Sequence, residues 1–368
     1  MGFIRLLLAA AVVAGHSTPI FGFQFIGGDD AVHAFFILSG FYMSFILNEK
    51  YIQANESYRL YISNRFMRIY PAYWVILGLI LVSSIVQHYY SVVINAFGHD
   101  YGQLTGLITF FHQMSPLTFA YIVLINVFII GQDTLMFLGL SNSGSLFFTT
   151  NYALTYPQLH FFLLIPQAWA LSLEILFYCI APFIVRRNWK FVIVLMCVSL
   201  ALRMVLIKFG FTYDPWVYRF FPTELLFFLL GNISYKIYAN IKHKIVTRRN
   251  LVFAWVLLLV STFAYKSSGL AQYSIIYFFS FAGLLPYVFL LSKNWKFDRY
   301  LGELAYPIYI SHIFILYIIG AMSIPGLKGT GTNLFFATLL FSFLLYEGVI
   351  RKVDKMRQRR VTSIRYHI

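Results

Sequence analysis

The chain has 368 residues, of which 60% are hydrophobic and 11% are charged. Soluble domains carry about 25% charged residues, so this composition excludes an ordinary soluble domain and predicts an all-α, polytopic transmembrane helical bundle. The net charge of +15 also suggests nucleic-acid binding. We expect no nucleic-acid partner, because no stretch is long enough for a soluble domain and membrane proteins keep basic residues on the cytoplasmic side.

Apolar stretches of spanning or near-spanning length follow one another along the chain. Between the third and the fourth stretch, residues 88–165 contain no Lys or Arg and only two apolar pieces, near 104–114 and 119–140. If both pieces crossed the membrane there would be twelve helices; we predict about ten, with a re-entrant or interfacial helical region at 88–165. The ten stretches are 3–20, 31–47, 70–87, 166–185, 190–207, 219–239, 250–264, 271–291, 302–320 and 332–350.

The positions of the basic residues predict the orientation of these helices. With the N-terminus in the cytoplasm, all but five of the 28 Lys and Arg residues fall on the cytoplasmic side. We therefore predict a multi-pass protein with both termini in the cytoplasm, divided into a membrane domain at 1–350 and a basic cytoplasmic tail at 351–368. The five exceptions lie at outer helix ends or in outer loops: Arg203, Lys208, Arg219, Lys266 and Lys328.

The first apolar stretch carries two ionisable side chains, Arg5 and His16. Eleven residues of helix return to within about 20° of the same face and rise about 16 Å. Arg5 is thus predicted at the cytoplasmic surface and His16 near mid-membrane, where an ionisable group is costly and typically functional. His16 could be a general base or an acyl acceptor. The alternatives are a packed histidine bonded to a carbonyl and, for Arg5, a topogenic charge.

Three further groups could carry chemistry. Arg65 and Arg68 share a helix face at the cytoplasmic start of the third stretch and could clamp phosphates, although they could also be topogenic. Glu174, in an apolar helix, could orient a histidine, bind substrate hydroxyls or pair with an arginine elsewhere. Tyr309 and His312 are neighbours on one helix, and His312 lies about as deep as His16, which predicts a shared polar cavity.

Weaker candidates lie near the predicted outer face. His33 follows two aspartates at the outer entrance of the second stretch. Arg219 and Glu224 could form an outer-leaflet pair or contact a substrate. Cys179 and Cys197 both lie inside apolar stretches, and their spacing predicts neither a disulfide nor a metal site.

Taken together and in this order, these groups resemble the membrane-bound acyltransferase family 3, the O-acetylases of surface polysaccharides and nodulation-factor-type glycans. Each match is loose, but six in order span nearly the whole chain. The matching stretches are IRLLLAAAVVAGHS (4–17), AVHAFFILSGFYM (31–43), RFMRIYPAYW (65–74), WALSLEILFY (169–178), RFFPTELLFFLLG (219–231) and LGELAYPIYISHI (301–313).

The resemblance implies about ten helices and an acyl-CoA donor, acetyl-CoA above all, that binds as a substrate and not as a permanent cofactor. The acceptor would be a hydroxyl of a glycan or a lipid-linked sugar. The Arg-x10-His motif of the family matches Arg5 and His16, and its Arg-x-x-Arg motif matches Arg65 and Arg68.

The chain departs from the family pattern at three places. His33 stands where an Asp is common, and Glu347-Gly348-Val349 replaces a Glu-x-Pro pattern. Pro307 stands where a Ser is common, and a proline there would kink the helix or start it.

We therefore interpret the chain as a bacterial inner-membrane O-acyltransferase, surrounded by membrane lipid. Arg65 and Arg68 would hold the phosphates of acyl-CoA. The predicted catalytic group is His16 with Arg5, Glu174 and His312, and the predicted substrate contacts are His33, Ser172, Tyr309, Arg219 and Glu224.

Two rival functions remain at this point. One is a transporter or flippase for a lipid-linked saccharide, which would also need polar side chains inside the bundle. The other is a glycosyltransferase with a lipid-phosphate donor, for which Asp29 and Asp30 could supply an acidic outer site.

Overall fold

The computed structural model describes residues 1–49, 51, 58–94, 102–266, 268–269, 274–321 and 330–365. Lys50 and Lys328, two of the basic residues counted for the orientation, lie outside the described residues.

The described chain is an all-α bundle, as the composition predicted, and each of the ten apolar stretches contains a helix. In chain order the helices are α1 (Gly2–Gly15), α2 (Gly28–Glu49), α3 (Tyr58–Ile94), α4 (Thr105–Phe110), α5 (Pro116–Phe128), α6 (Trp169–Ile184), α7 (Trp189–Lys208), α8 (Phe221–Ile241), α9 (Arg248–Ala264), α10 (Ser274–Ser292), α11 (Lys296–Ala321), α12 (Gly331–Leu345) and α13 (Arg351–Arg365).

Seven of the described helical segments are long and apolar enough to cross a membrane, which makes this a multi-pass membrane protein. The helix α1 is shorter than the predicted stretch. It ends at Gly15, and Pro19, four residues further on, cannot continue a helix because it lacks a backbone N–H. Its 14 residues rise about 21 Å, less than the roughly 30 Å of a bilayer core.

The predicted re-entrant or interfacial region is made of short elements. Within it, a turn of 3-10 helix connects α4 to α5, and an antiparallel hairpin, β1 (Leu138–Leu140) with β2 (Leu146–Phe148), follows α5. The hairpin was not predicted from the sequence. The Tyr73 hydroxyl of α3 donates a hydrogen bond to the Asn126 carbonyl of α5, which ties this region to the bundle.

Two close contacts between helices hold the bundle together. At the crossing of α2 and α8, a Cβ added at Gly40 would lie 1.9 Å from the Phe228 carbonyl oxygen. One added at Gly231 would lie 2.0 Å from the Ile37 carbonyl oxygen. Only glycine lets two helix backbones meet this closely, so both positions require it.

The contact between α1 and α11 is equally close. The Asp298 carboxylate accepts hydrogen bonds from the backbone N–H groups of Gly2 (2.7 Å) and Phe3 (2.9 Å) and so caps the start of α1. Pro307 lies inside α11, which begins at Lys296, so the proline does not start this helix.

The segment predicted as a tail continues the last membrane helix. A π-helical turn, Tyr346–Ile350, joins α12 to α13. The α13 helix contacts the first turns of α3, where the Arg360 guanidinium donates to Ser63 Oγ at 3.1 Å and to Asn64 Oδ1 at 3.3 Å. The described part of residues 351–368 is therefore packed against the bundle.

Candidate active site

Two histidines from different helices meet in one site. His16 Nδ1 and His312 Nε2 are 3.3 Å apart, and the ring centroids are separated by 5.0 Å. His312 is fully buried in the interior of α11, whereas His16 is the first residue after α1 and is exposed. The sequence analysis predicted a shared polar cavity for the two histidines, and the structure brings their rings into contact. The expectation that His16 lies inside a helix is wrong, because α1 ends one residue earlier.

The hydrogen bonds of the pair determine which ring nitrogens carry protons. His312 Nδ1 lies 2.7 Å from the Tyr309 carbonyl oxygen, and since a carbonyl can only accept, this nitrogen is the donor. In neutral His312 the other nitrogen, Nε2, is then an acceptor. His16 Nδ1 must therefore donate, both to it and to the Val12 carbonyl at 3.0 Å. In neutral His16 this arrangement leaves a lone pair on Nε2, the form that a general base needs.

A glutamine that the sequence analysis missed supports this arrangement. The Tyr309 hydroxyl donates to the Gln167 backbone carbonyl at 2.6 Å, and Gln167 Nε2 donates to the Ile310 carbonyl at 2.8 Å. Gln167 is buried at the start of α6. It fastens α11 at the turn that orients His312. An isolated glutamine before an apolar helix carries no sequence pattern by which it could have been found.

A cavity of about 880 Å³ approaches the pair from the basic end of the bundle. Its walls come from α2 and α6, from the first turns of α1 and α3, from the first half of α11 and from α13. Tyr309 belongs to its lining, and the Tyr309 and His312 rings are 6.2 Å apart between centroids. Within the described chain, neither histidine is among the lining residues. Tyr309 therefore separates the cavity from the histidine pair.

Among the described residues, five arginines line the cavity beside five carboxylates, and the sequence analysis had selected two of these arginines, Arg65 and Arg68, as phosphate ligands. Arg65 is 5% exposed, and its Nε has no hydrogen-bond partner among the described residues. Arg68 Nη2 pairs with Glu303 Oε2 at 3.3 Å. Both side chains line the same cavity, together with the guanidinium groups of Arg5, Arg299 and Arg357. We name Arg65, Arg68 and Arg357 the arginine cluster.

Arg5 belongs to the cavity and not to the histidine site. Its guanidinium carbon lies 5.7 Å from the centre of the Tyr42 ring, on the cavity wall. It is separated from His16 by the length of α1. The structure thus brings Arg5 together with the predicted phosphate-binding arginines.

Two predicted residues of α6 have different surroundings. Glu174 lines the cavity and accepts a hydrogen bond from the Tyr178 hydroxyl at 2.7 Å. Ser172 is buried and donates to Asp133 Oδ1 at 2.6 Å, while its oxygen accepts from the Gly131 N–H at 2.9 Å. Ser172 therefore anchors the segment after α5 and has no free hydroxyl directed at a substrate.

A family model described as an acyltransferase domain matches residues 1–347. The chain belongs to acyltransferase family 3. No curated protein and no solved structure matches it. The match covers every residue of the acyltransferase site described so far except Arg357, which lies in α13 beyond the matched range.

The predicted outer pair of the acyltransferase does not form. Arg219 Nε donates to Asp214 at 2.8 Å in the loop before α8, and its guanidinium stacks on the Trp169 ring at 4.3 Å. Glu224 instead faces into the bundle, where it pairs with Arg203 of α7 at 2.9 Å. Arg219 precedes α8 and Glu224 is in its first turn, so the two side chains leave the backbone in different directions.

His33 completes a buried polar cluster around Glu224. His33 Nε2 lies 3.0 Å from Glu224 Oε2, and the imidazole stacks on the Phe227 ring with centroids 4.3 Å apart. Glu224 is fully buried, so the acyltransferase presents this carboxylate to no cavity described above. Burial between a histidine and an arginine indicates a role in holding α2, α7 and α8 together.

The described residues contain no group of three or more His, Cys, Asp or Glu side chains arranged to hold a metal ion. Cys179 and Cys197 are free thiols.

Proposed function

We propose that the protein transfers an acyl group, most simply acetyl, from cytoplasmic acyl-CoA to a hydroxyl of a surface polysaccharide or a lipid-linked sugar in the bacterial inner membrane. The observation that carries the proposal is the spatial order of the cavity, Tyr309 and the histidine pair. An arginine-lined cavity leads to Tyr309, and a hydrogen-bonded histidine pair lies directly beyond it.

The cavity suits a phosphorylated donor with a long arm. Its volume of about 880 Å³ lies within the roughly 300–1,000 Å³ of pockets that enclose small-molecule ligands. Arg65 offers an unpaired buried N–H, and the planar guanidinium of Arg68 can bind phosphate oxygens with two parallel hydrogen bonds. With the phosphates held at this end, the thioester arm would extend along the cavity toward Tyr309.

His16 would be the general base. Its free Nε2 takes the proton of the acceptor hydroxyl as the hydroxyl oxygen attacks the thioester carbonyl. The tetrahedral intermediate then collapses, the carbon–sulfur bond breaks, and the departing thiolate takes up the proton from His16. The products are the ester and free coenzyme A, so the histidine returns to its starting form.

His312 would be a positioning residue for this step. Its Nε2 accepts a hydrogen bond from the His16 Nδ1–H, which keeps the His16 lone pair on Nε2 and stabilises the imidazolium that forms during transfer. The charge that develops on the thioester oxygen needs a donor. The Tyr309 hydroxyl would be this donor, exchanging its hydrogen bond to the Gln167 carbonyl for one to the thioester oxygen, since Tyr309 lines the cavity and lies beside His312.

The test is transfer of label from [14C]acetyl-CoA by the purified protein to glycan and lipid extracts of cells that lack the gene. The wild-type protein should label a saccharide, and His16→Gln should not. His243→Gln is the matched control, because His243 is an exposed histidine outside both sites. Both variants should insert into membranes and unfold at the same temperature as wild type.

Two results would contradict the proposal. Full activity of His16→Gln would remove the histidine from the reaction. Absence of label from every extract, with the wild-type protein folded, would remove acetyl-CoA as the donor. Label trapped on His16 itself would replace the general base with an acyl-histidine intermediate.

A further inference from the structure

The helix α13 forms part of the cavity, although the sequence reads as a basic tail and the family match ends at residue 347. Three of its side chains, Asp354, Arg357 and Gln358, line the same cavity as Arg65 and Arg68. The π-helical turn before α13 admits an extra residue, which rotates all later side chains by about 100° relative to an uninterrupted helix. The face that carries Arg357 is the one turned to the cavity.

Arg357 is held there with an unused donor. Arg357 is only 9% exposed, and its Nη2 pairs with Asp354 Oδ1 at 2.8 Å. Its Nη1 is buried and has no hydrogen-bond partner among the described residues. A buried guanidinium N–H without an acceptor is costly, and such groups are usually satisfied by a ligand or by another protein group.

The surroundings of Arg357 indicate the charge of that ligand. The positive charges of Arg68 and Arg65 both act on it, and the carboxylates of Asp354 and Glu303 offset them only in part. Arg65 Nε is likewise buried without a partner. Two unsatisfied guanidinium donors and a third arginine around one cavity fit a ligand with several negative charges, and not an uncharged sugar.

The connection between α13 and α3 keeps the cluster together. Arg360 donates to Ser63 Oγ at 3.1 Å, which holds α13 one turn from the point where Arg357 faces α3. Arg65 follows Ser63 on α3 by two residues. With α13 tied to α3 by this contact, Arg65 of α3 and Arg357 of α13 both line the cavity.

We infer that α13 is a wall of the donor cavity and that Arg357 is a third phosphate-binding arginine, which contacts a phosphate group of the donor together with Arg65 and Arg68. The inference rests on the proposed function, because that function supplies the phosphorylated donor. It adds a residue and a helix that lie outside the Arg-x-x-Arg motif and outside the matched family range.

The test measures binding of coenzyme A and of inorganic pyrophosphate to the detergent-solubilised full chain by isothermal titration. Arg357→Gln should weaken binding of coenzyme A about tenfold to hundredfold, the loss expected for one charge-assisted hydrogen-bond partner. Arg357→Lys should lose less, because it keeps the charge. Lys355→Gln, an exposed cation on the same helix, is the matched control and should bind like wild type.

The outcomes separate this inference from the proposed function. If Arg357→Gln binds coenzyme A as wild type does while Arg65→Gln does not, α13 is not part of the donor site and the inference fails alone. If the wild-type protein binds pyrophosphate but not coenzyme A, and Arg357→Gln weakens pyrophosphate binding, the donor assignment fails and the third arginine stands. Unchanged thermal unfolding of Arg357→Gln shows that a loss of binding is not a loss of fold.

Discussion

The arginine cavity and the histidine pair are adjacent, yet the first is lined by charged groups and the second consists of two hydrogen-bonded imidazoles. The cavity gathers several guanidinium groups that carboxylates balance only in part, so it is prepared for an anion. The pair His16–His312 places two imidazoles in contact, and in their neutral forms the proton positions follow from the Tyr309 carbonyl. One region can supply binding energy and the other can move a proton. Substitutions in the two should therefore act on different kinetic constants.

The largest effect should come from breaking the chain of hydrogen bonds in the pair. His312→Leu removes the acceptor that holds the His16 proton on Nδ1, so we expect kcat to fall by about 10²- to 10⁴-fold, with the KM for the donor unchanged. His312→Gln keeps an acceptor oxygen and should recover part of that loss. Steady-state kinetics with acetyl-CoA measure both. An equal loss in the two variants would show that the orientation of His16 does not depend on an acceptor at 312.

A third polar group, His33–Glu224–Arg203, sharpens the comparison because it is buried and belongs to neither region. Glu224→Leu leaves Arg203 without its carboxylate and should destabilise the fold by about 3–5 kcal/mol. The double variant Glu224→Leu with Arg203→Met should be much closer to wild type, since it removes the stranded charge. Unfolding measurements in detergent test this. A changed KM in the folded fraction of Glu224→Leu would instead indicate substrate contact.

Substitutions of the cavity arginines should change the KM for acyl-CoA. Arg65→Gln removes a buried guanidinium with an unused donor, and we expect the KM for acyl-CoA to rise about tenfold to hundredfold with kcat nearly constant. Glu303→Gln removes the carboxylate that competes for Arg68 and should lower this KM or leave it unchanged. A fall in kcat alone for Arg65→Gln would place the residue in the chemistry and would end the division between the two regions.

The smallest effect concerns the segment after α5, outside both regions. Burial raises the pKa of the Asp133 carboxyl above its ordinary value, although the Ser172 hydroxyl partly opposes this. The folded protein keeps this proton to a higher pH than the unfolded chain does. Its stability therefore falls as the pH rises from the ordinary carboxyl pKa to the raised one, and it stays lowered above that.

Asp133→Asn keeps an acceptor for Ser172 and does not titrate. The difference in melting temperature between the variant and wild type should then favour the variant at pH 7.5 and shrink toward pH 4. A difference that is independent of pH would show that the carboxyl is already ionised in the folded protein across this range.

The sequence predicted much of the fold because hydrophobic length is a local property. All ten apolar stretches contain helices, and the absence of Lys and Arg from residues 88–165 separated the short helices and the hairpin from the long spans. The end of α1 was missed, since the predicted stretch was extended to Ile20 across the polar residues 16–18 and Pro19. The helical state of residues 351–365 was missed because a basic segment reads equally well as a solvated tail.

The site was predicted residue by residue but not as an arrangement. Motif spacing identified His16, Arg65 and Arg68, and a depth argument paired His16 with His312. The partners that decide their chemistry are a backbone carbonyl, Gln167 and Arg357, which come from distant parts of the chain and have no spacing rule. For the same reason Glu224 was assigned to Arg219, its near neighbour in sequence, and not to Arg203 on another helix.

The glycine crossing of α2 and α8 has a consequence for how a donor could enter. With the two main chains in contact at Gly40 and Gly231, a slide of one residue along the interface would drive a side chain into a carbonyl oxygen. We therefore expect α2 and α8 to move as one body. The cavity wall that α2 provides through Tyr42 is then expected to stay fixed. A bulky donor would then be accommodated by movement of α13, which contacts α3 through a few polar side chains.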